Sequence, residues 1–379
     1  MKNKFIIWAM TLNILSVIGI GFGITRIREV TKPEGNSYLW LATMLFLSVL
    51  TLILGQKVQV FFHELGHLIG GILTGYKFVS FTTSKWTLIK ADGKLRWKKY
   101  SYGGAAGRVL SLPPAPKVGT TPYKLMMSGG IITDFFFSII YFSLFLTLTN
   151  SVPWLACICL VMASSSLHSV LLNGLPFNND GVTTDGYILT GLGRARDKTA
   201  LPVFIANLRA EALLQTGVPV GDLPTALFDP LTTSNMTNSI HHVSLAAQKS
   251  AQLLDNERFT EAKEIILNLN TYEEIKLPIQ AEHLLLELIT TTDQDIIQQL
   301  YTDELKNFLA TISTHENQKV SVFRLLYACA RLIDKDDAKA QEYLTLFEIA
   351  CKNSIVFGAI PAAKKIIALV DKLADEQMA

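Results

Sequence analysis

The segment Phe61-Phe62-His63-Glu64-Leu65-Gly66-His67-Leu68-Ile69 carries two histidines four residues apart, with a glutamate directly after the first. That spacing puts both imidazoles on one face of a helix, where they can grip a single metal ion. Glu64 then stands close enough to activate a water at the metal without ligating it. The flanks are apolar in both directions, with Val58, Val60, Phe61 and Phe62 before and Leu68, Ile69, Ile72 and Leu73 after. A charged side chain at mid-membrane costs about 2.5–3.5 kcal/mol. His63, Glu64 and His67 must therefore face a protein interior or a wet cavity, and a bound metal accounts for their presence.

Outward from this motif, Tyr38 to Tyr76 is nearly continuous apolar sequence, interrupted only at Gly55-Gln56-Lys57. As one helix it would be ~55 Å long, against a hydrocarbon core of ~30 Å. Gly-Gln-Lys is a poor membrane turn, so one long bent helix is expected rather than two spans. Before it, Met1 to Lys4 is basic and Phe5 to Ile24 is apolar. The run is long and no small-residue cleavage site follows, which predicts an uncleaved first span. Residues 25–37 read as a polar loop with Pro33 and Gly35 as breakers. Beyond the motif, Leu125 to Thr149 is a third span, containing Gly129, Gly130 and an intramembrane Asp134. Trp154 to Leu172 is a fourth, with Ser164, Ser165, Ser166 and His168 in its second half. Small and polar residues of this kind line helix interfaces and cavities. His168 and Asp134 are candidate polar support for the metal motif.

Charge divides the chain. Residues 201–379 hold 15 Lys+Arg and 24 Asp+Glu, a net of −9, and residues 1–200 hold 19 and 8, a net of +11. The basic excess is concentrated between Lys77 and Lys124, where Asp92 is the sole acid. By the positive-inside rule this segment is cytoplasmic, which explains the charge without nucleic-acid binding. Within it, Phe78 to Lys90 and Lys94 to Tyr102 flank Ala91-Asp92-Gly93, a hairpin signal. Its edge is a candidate for capturing an extended substrate by strand addition. Residues 103–122, rich in Gly and Pro, read as an irregular loop. The chain has four cysteines, Cys157, Cys159, Cys329 and Cys351, in apolar or helical surroundings that suggest buried thiols.

A catalytic zinc site usually has three protein ligands and one open position. After the fourth span comes Asn173-Gly-Leu-Pro176-Phe-Asn-Asn-Asp180-Gly181-Val-Thr-Thr-Asp185-Gly186-Tyr187, with two Asp-Gly pairs as candidates for the missing carboxylate. HELGH on one span, a later span, then Asn-x-x-Pro followed by Asp-Gly, resembles the site-2 protease family of intramembrane zinc metalloproteases. The resemblance covers roughly residues 38–192. It implies that the Asp of the second motif is the third ligand and that Asn173, with Pro176, serves the substrate and oxyanion. The usual family spacing falls on Gly181, so neither Asp matches it. Bacterial members with a longer insert before Asp-Gly-Tyr are more similar, which favours Asp185 as the ligand with Asp180 as the alternative. Gly130 to Asp134 occupies the family's Gly-x-x-x-Asn pattern with Asp in place of Asn. There it could hold substrate or the hairpin, or pack against a neighbouring helix.

From about Leu201 on, apolar residues recur at helical spacing in Val243–Leu254, Ala262–Leu269, Leu284–Ile289, Phe323–Leu332, Tyr343–Ile349 and Ala362–Leu373. Breakers fall at Asp255-Asn256, Pro278, Thr291 to Asp293 and Asp334 to Asp337. This predicts paired helices with a tetratricopeptide-like look but no strict period.

The expected fold is an all-α polytopic membrane protein with a small cytoplasmic β-hairpin and a soluble α-helical C-terminal domain. Its parts are a first span and loop (1–37), a site-2-protease-like membrane core (38–192) and a cytoplasmic helical domain (193–379). The expected function is cleavage of a membrane-tethered protein or peptide near the cytoplasmic face of the cell membrane. It would use one zinc ion per chain held by His63, His67 and Asp185, with Glu64 as catalytic base. Expected partners are the bilayer, the membrane-spanning substrate and a protein bound by the helical domain, with no nucleic acid. A non-catalytic zinc-binding membrane scaffold is the alternative, and a protease of soluble peptides at the membrane surface a weaker third. An intact Glu64 argues for an enzyme.

Overall fold

The computed structural model describes residues 2–32, 37–91, 93–100, 106–115, 121–179, 182–192, 196–291 and 293–378. The chain is mostly helical and divides into two compact units. The first comprises Met1–Lys77, Ala106–Val109 and Pro114–Ala195, and the second Phe78–Ala105, Leu110–Pro113 and Arg196–Ala379.

Four helices of the first unit are long and apolar enough to cross a membrane: α1 (Lys2–Thr31), α2 (Ser37–Leu73), α3 (Lys124–Leu148) and α4 (Pro153–Gly174). Helix α1 runs seven residues past the expected end at Ile24, through Thr31. Nothing in Thr25–Thr31 breaks a helix before Pro33. Ile27 is fully buried, and Arg26 pairs with Glu29 at 3.6 Å on the exposed side. Helix α2 is a single 37-residue helix, as the weak Gly-Gln-Lys turn predicts. It ends in a two-bond cap. Tyr76 N–H donates to Gly71 O at 2.9 Å and Gly75 N–H to Ile72 O at 3.1 Å. Gly75 takes the left-handed φ of +85° that this cap requires.

Helix α2 packs on α3 and α4, α3 packs on α4, and α1 packs on α4. Ile20, Ile24 and Ile27 of α1 share a core with Met44, Phe145, Cys157, Leu160 and Val161. The α2–α3 crossing is close because it is made of glycine. A Cβ on Gly66 would lie 2.3 Å from Gly129 O, and one on Gly129 would lie 2.2 Å from Gly66 O. Small residues let two backbones meet where lipid offers no hydrophobic drive to association.

A four-stranded antiparallel sheet follows α2, with strands β1 (Lys77–Thr83), β2 (Trp86–Ala91), β3 (Lys94–Lys99) and β4 (Gly107–Leu112) in the order β3-β2-β1-β4. The expected hairpin is therefore only part of it. Its first arm is itself two strands, turned at Ser84-Lys85, where Ser84 adopts a φ of 52°. The expected turn before Lys94 holds, with Ala91 opposite Lys94 and Gly93 at φ +74°. Strand β4 lies where a loop is expected. Val109 and Leu110 are buried, and no proline falls between Gly107 and Leu112. After α4, a short ladder of β5 (Asn178–Asn179) and β6 (Val182–Thr183) leads to a π-helical turn at Tyr187–Leu192.

The second unit carries α5 (Ala200–Gln215), α6 (Ile240–Asp255), α7 (Phe259–Leu269), α8 (Lys276–Thr290), α9 (Gln294–Leu300), α10 (Asp303–Ile312), α11 (Lys319–Cys329), α12 (Asp337–Asn353) and α13 (Ile360–Met378). Each apolar segment predicted from periodicity lies in one of them, Phe323–Leu332 running past α11 into the π turn at Ala330–Asp334. Helix α5 packs on α6, α6 on α7, α7 on α8, α8 on α9, α10 on α11 and α11 on α12, and α11 and α13 both meet α8. The packing buries Leu284, Leu285, Leu286, Ile266, Leu305 and Phe347. Two of the breakers are helix caps: Asp293 Oδ1 accepts from Asp295 N at 3.0 Å, and Asp336 Oδ1 accepts from Lys339 N at 3.0 Å. Pro278 does not break a helix. It sits in the first turn of α8, where a missing N–H costs nothing. All four cysteines are buried and free.

Candidate metal centre

His63 and His67 project from one face of α2, and both are buried, at 9% and 7% exposure. Each ring is fixed through its Nδ1. His67 Nδ1 lies 2.8 Å from the Met126 carbonyl of α3, and His63 Nδ1 lies 2.7 Å from Asp134 Oδ2 of the same helix. A carbonyl or carboxylate oxygen accepts, so both Nδ1 atoms donate. A neutral imidazole has one N–H, so each Nε2 then presents a lone pair.

Those two lone pairs converge with a third. Asp185 Oδ2 lies 3.2 Å from His63 Nε2 and 3.2 Å from His67 Nε2, and the two Nε2 atoms are 3.1 Å apart. Asp185 Oδ2 is buried with no hydrogen-bond donor. Three acceptors pressed together repel unless a cation stands among them. Ligand atoms 2.0–2.1 Å from a tetrahedral metal lie about 3.3 Å apart, so this triangle fits a zinc-sized ion. Among the described residues, His63, His67 and Asp185 form the group able to hold a metal.

Glycine makes room for the triangle. A Cβ on Gly130 would lie 2.6 Å from His67 Nε2 and from His63 Cε1. Asp185 reaches the helices because its neighbour is Gly186, where a Cβ would lie 2.2 Å from Gly174 O at the end of α4. Thr184 pins the same loop. Its hydroxyl donates to Leu175 O at 2.5 Å and accepts from Phe177 N at 3.1 Å. Sequence reading missed Thr184, although Thr-Asp-Gly is itself a turn signal. Asp180, the alternative ligand, lies outside the described residues.

Glu64 points to a different neighbour. The Val109 backbone donates a hydrogen bond to its carboxyl, and Gly107 lies against it, a Cβ there being 3.1 Å from Glu64 Oε1. The strand beside the motif is thus β4, the end strand of its sheet, in place of the predicted loop.

No family model, curated protein or solved structure matches the chain.

The remaining candidates fall into two groups. Asp134 is fully buried and meets His63 directly. Asn173 is joined to it through Ser169, donating to Ser169 Oγ at 3.1 Å. His168 is apart from the triangle. It bonds to the Leu12 backbone of α1 and lines a cavity of about 600 Å³ with Ser16, Ser138 and Ser164. Pro176 is exposed just past α4. Gln59, Ser166 and Ser169 were not singled out as site residues. Their signal is spacing: Gln59 is four residues before His63, and Ser166, Ser169 and Asn173 share one face of α4.

Proposed function

We propose that this protein is an intramembrane zinc metalloprotease of the site-2 type, cleaving a membrane-tethered protein or peptide near the cytoplasmic face. The observation that carries the reading is the triangle of lone pairs from His63, His67 and Asp185 on helices apolar enough to span a bilayer, with Glu64 one residue beyond a ligand. Zinc bound there would supply a Lewis acid that polarises a peptide carbonyl and renders water nucleophilic at neutral pH. Glu64 takes the proton of the attacking water and delivers it to the departing amine. One amide N–H of Asn173 is engaged by Ser169, and the other is available to a substrate carbonyl.

A helical substrate has its carbonyls hydrogen-bonded and must unwind before it is cut. Strand β4, at the end of its sheet and in contact with Glu64, supports the idea that the unwound segment is held by strand addition. The basic excess between Lys77 and Lys124 supports a cytoplasmic position for that segment, and with it for the helical domain. The helical domain then serves to bind a partner or gate access. A zinc-binding scaffold without activity would have no use for Glu64.

The test is Glu64→Gln in purified full-length protein, reconstituted in vesicles with a single-span reporter that the wild type cuts. The variant should keep one zinc per chain and lose cleavage by about 10²–10⁴-fold. Unchanged cleavage by a zinc-loaded variant would refute the proteolytic mechanism.

A further inference from the structure

The two metal-facing histidines are held by unlike partners. His67 gives its Nδ1–H to a neutral backbone carbonyl, whereas His63 gives its own to a carboxylate. That carboxylate, Asp134, has no exposed surface and sits in the middle of an apolar span. A buried carboxylate is costly unless its oxygens are met by donors, and here both are. Oδ1 accepts from Gln59 Nε2 at 2.5 Å, and Gln59 Oε1 accepts in turn from Ser166 Oγ at 2.7 Å. Oδ2 accepts from His63 Nδ1 at 2.7 Å and from Ser169 Oγ at 2.5 Å, and Ser169 Oγ accepts from Asn173 Nδ2 at 3.1 Å. The network takes members from α2, α3 and α4, and it ends on Nδ1 of a metal-facing histidine at one side and on Asn173 at the other.

We propose that Asp134 is a positioning residue of the metal centre: it fixes the His63 ring with its Nε2 lone pair on the metal, and through Ser169 it holds the Asn173 amide in register with that ligand. A packing contact between α3 and its neighbours would need only the fit of the side chain. The structure instead puts one carboxylate oxygen on both His63 and Ser169, with Gln59 and Ser166 securing the other. A carboxylate behind a ligating imidazole fixes its tautomer and raises its basicity, and removing such a partner costs 10–100-fold in metal affinity. The inference rests on the metal reading of the triangle and adds the residue that sets the strength of one of its ligands.

The experiment is zinc titration of metal-stripped, full-length protein in detergent against a chromogenic chelator, with melting of the metal-free forms in parallel. Asp134→Ala should weaken zinc binding by about 10–100-fold. Asp134→Asn, equal in size and still offering His63 a carbonyl, should recover part of the loss. With cobalt(II) in place of zinc, the ligand-field bands of Asp134→Asn should shift from those of the wild type, reporting a changed His63 bond. If Asp134→Ala does not fold, Asp134→Asn and Ser169→Ala carry the test, the latter expected to cost only a few-fold. Wild-type zinc affinity and cobalt spectrum in a folded Asp134→Asn, whatever its melting temperature, would overturn the proposal. A wild type that binds no zinc would instead overturn the metal reading on which it stands.

Discussion

At the scale of single residues, the candidate metal centre depends on what is absent as much as on what is present. Gly130 faces the two imidazoles with no side chain. Gly130→Ala would put a methyl 2.6–2.7 Å from His63 Cε1, His63 Nε2 and His67 Nε2, so the rings must move. Zinc content per chain is expected to fall well below one in that variant. Gly19→Ala, with nothing within 4 Å of the added carbon, should leave it unchanged. Metal analysis of the two purified variants checks this. His63, Glu64 and His67 were legible because a helix repeats every 3.6 residues and the motif needs no partner to be seen. Gly130 was visible as a small residue in a span, but nothing local says that it faces two imidazoles from another helix.

Among the elements, α6 shows how burial without a partner becomes a pH dependence. His242 in its first turn bonds to Ser239 and Thr199 and lies 3.2 Å from Asp197 Oδ2. His241 has no such partners. Its Nε2 is buried without a hydrogen bond, and its ring meets Phe204 edge-on at 5.1 Å. Burial, with His242 beside it, pushes His241 down to about 4 from an ordinary 6.5. The folded chain therefore keeps His241 neutral where the unfolded chain protonates it. Its contribution to stability is complete above pH 6.5 and is lost as pH falls from 6.5 towards 4, by about 3 kcal/mol in all. His241→Phe should flatten the decline in melting temperature between pH 7 and pH 4.5 (about 2–3 kcal/mol less destabilisation at the lower pH). A variant as acid-sensitive as the wild type would show that the proton goes elsewhere. Helices α6, α7, α8, α11, α12 and α13 were readable from apolar periodicity, and the breaks at Asp293 and Asp336 from composition, because both signals are local. Strand β4 was not: Gly107–Leu112 lies between stretches rich in Gly and Pro, and its strand character comes from pairing with β1, a contact that local propensity does not report.

For the whole molecule, the consequence is topology. The four proposed spans, with both flanks of the series on one side, predict that the full chain stays in the membrane through an alkaline wash. They also predict that protease added from the cytoplasmic side of sealed vesicles removes residues 196–379, while protease from the other side does not. Cleavage of that domain from the outer side would overturn the orientation argued from the basic segment. What the sequence by itself determined is the set of apolar helices, the HExxH face and the division into a basic first half and an acidic second half. These depend on composition and short-range periodicity, which survive without a fold. What only the tertiary structure decided is which groups meet. Asp185 closes on His63 and His67 across more than a hundred positions of chain, because Gly186 lets its loop lie against the end of α4. Asp134 reaches His63 because glycines at 66 and 129 draw α2 and α3 together. Both contacts depend on how closely backbones approach, which is set by the packing of whole helices and is not written at any one position.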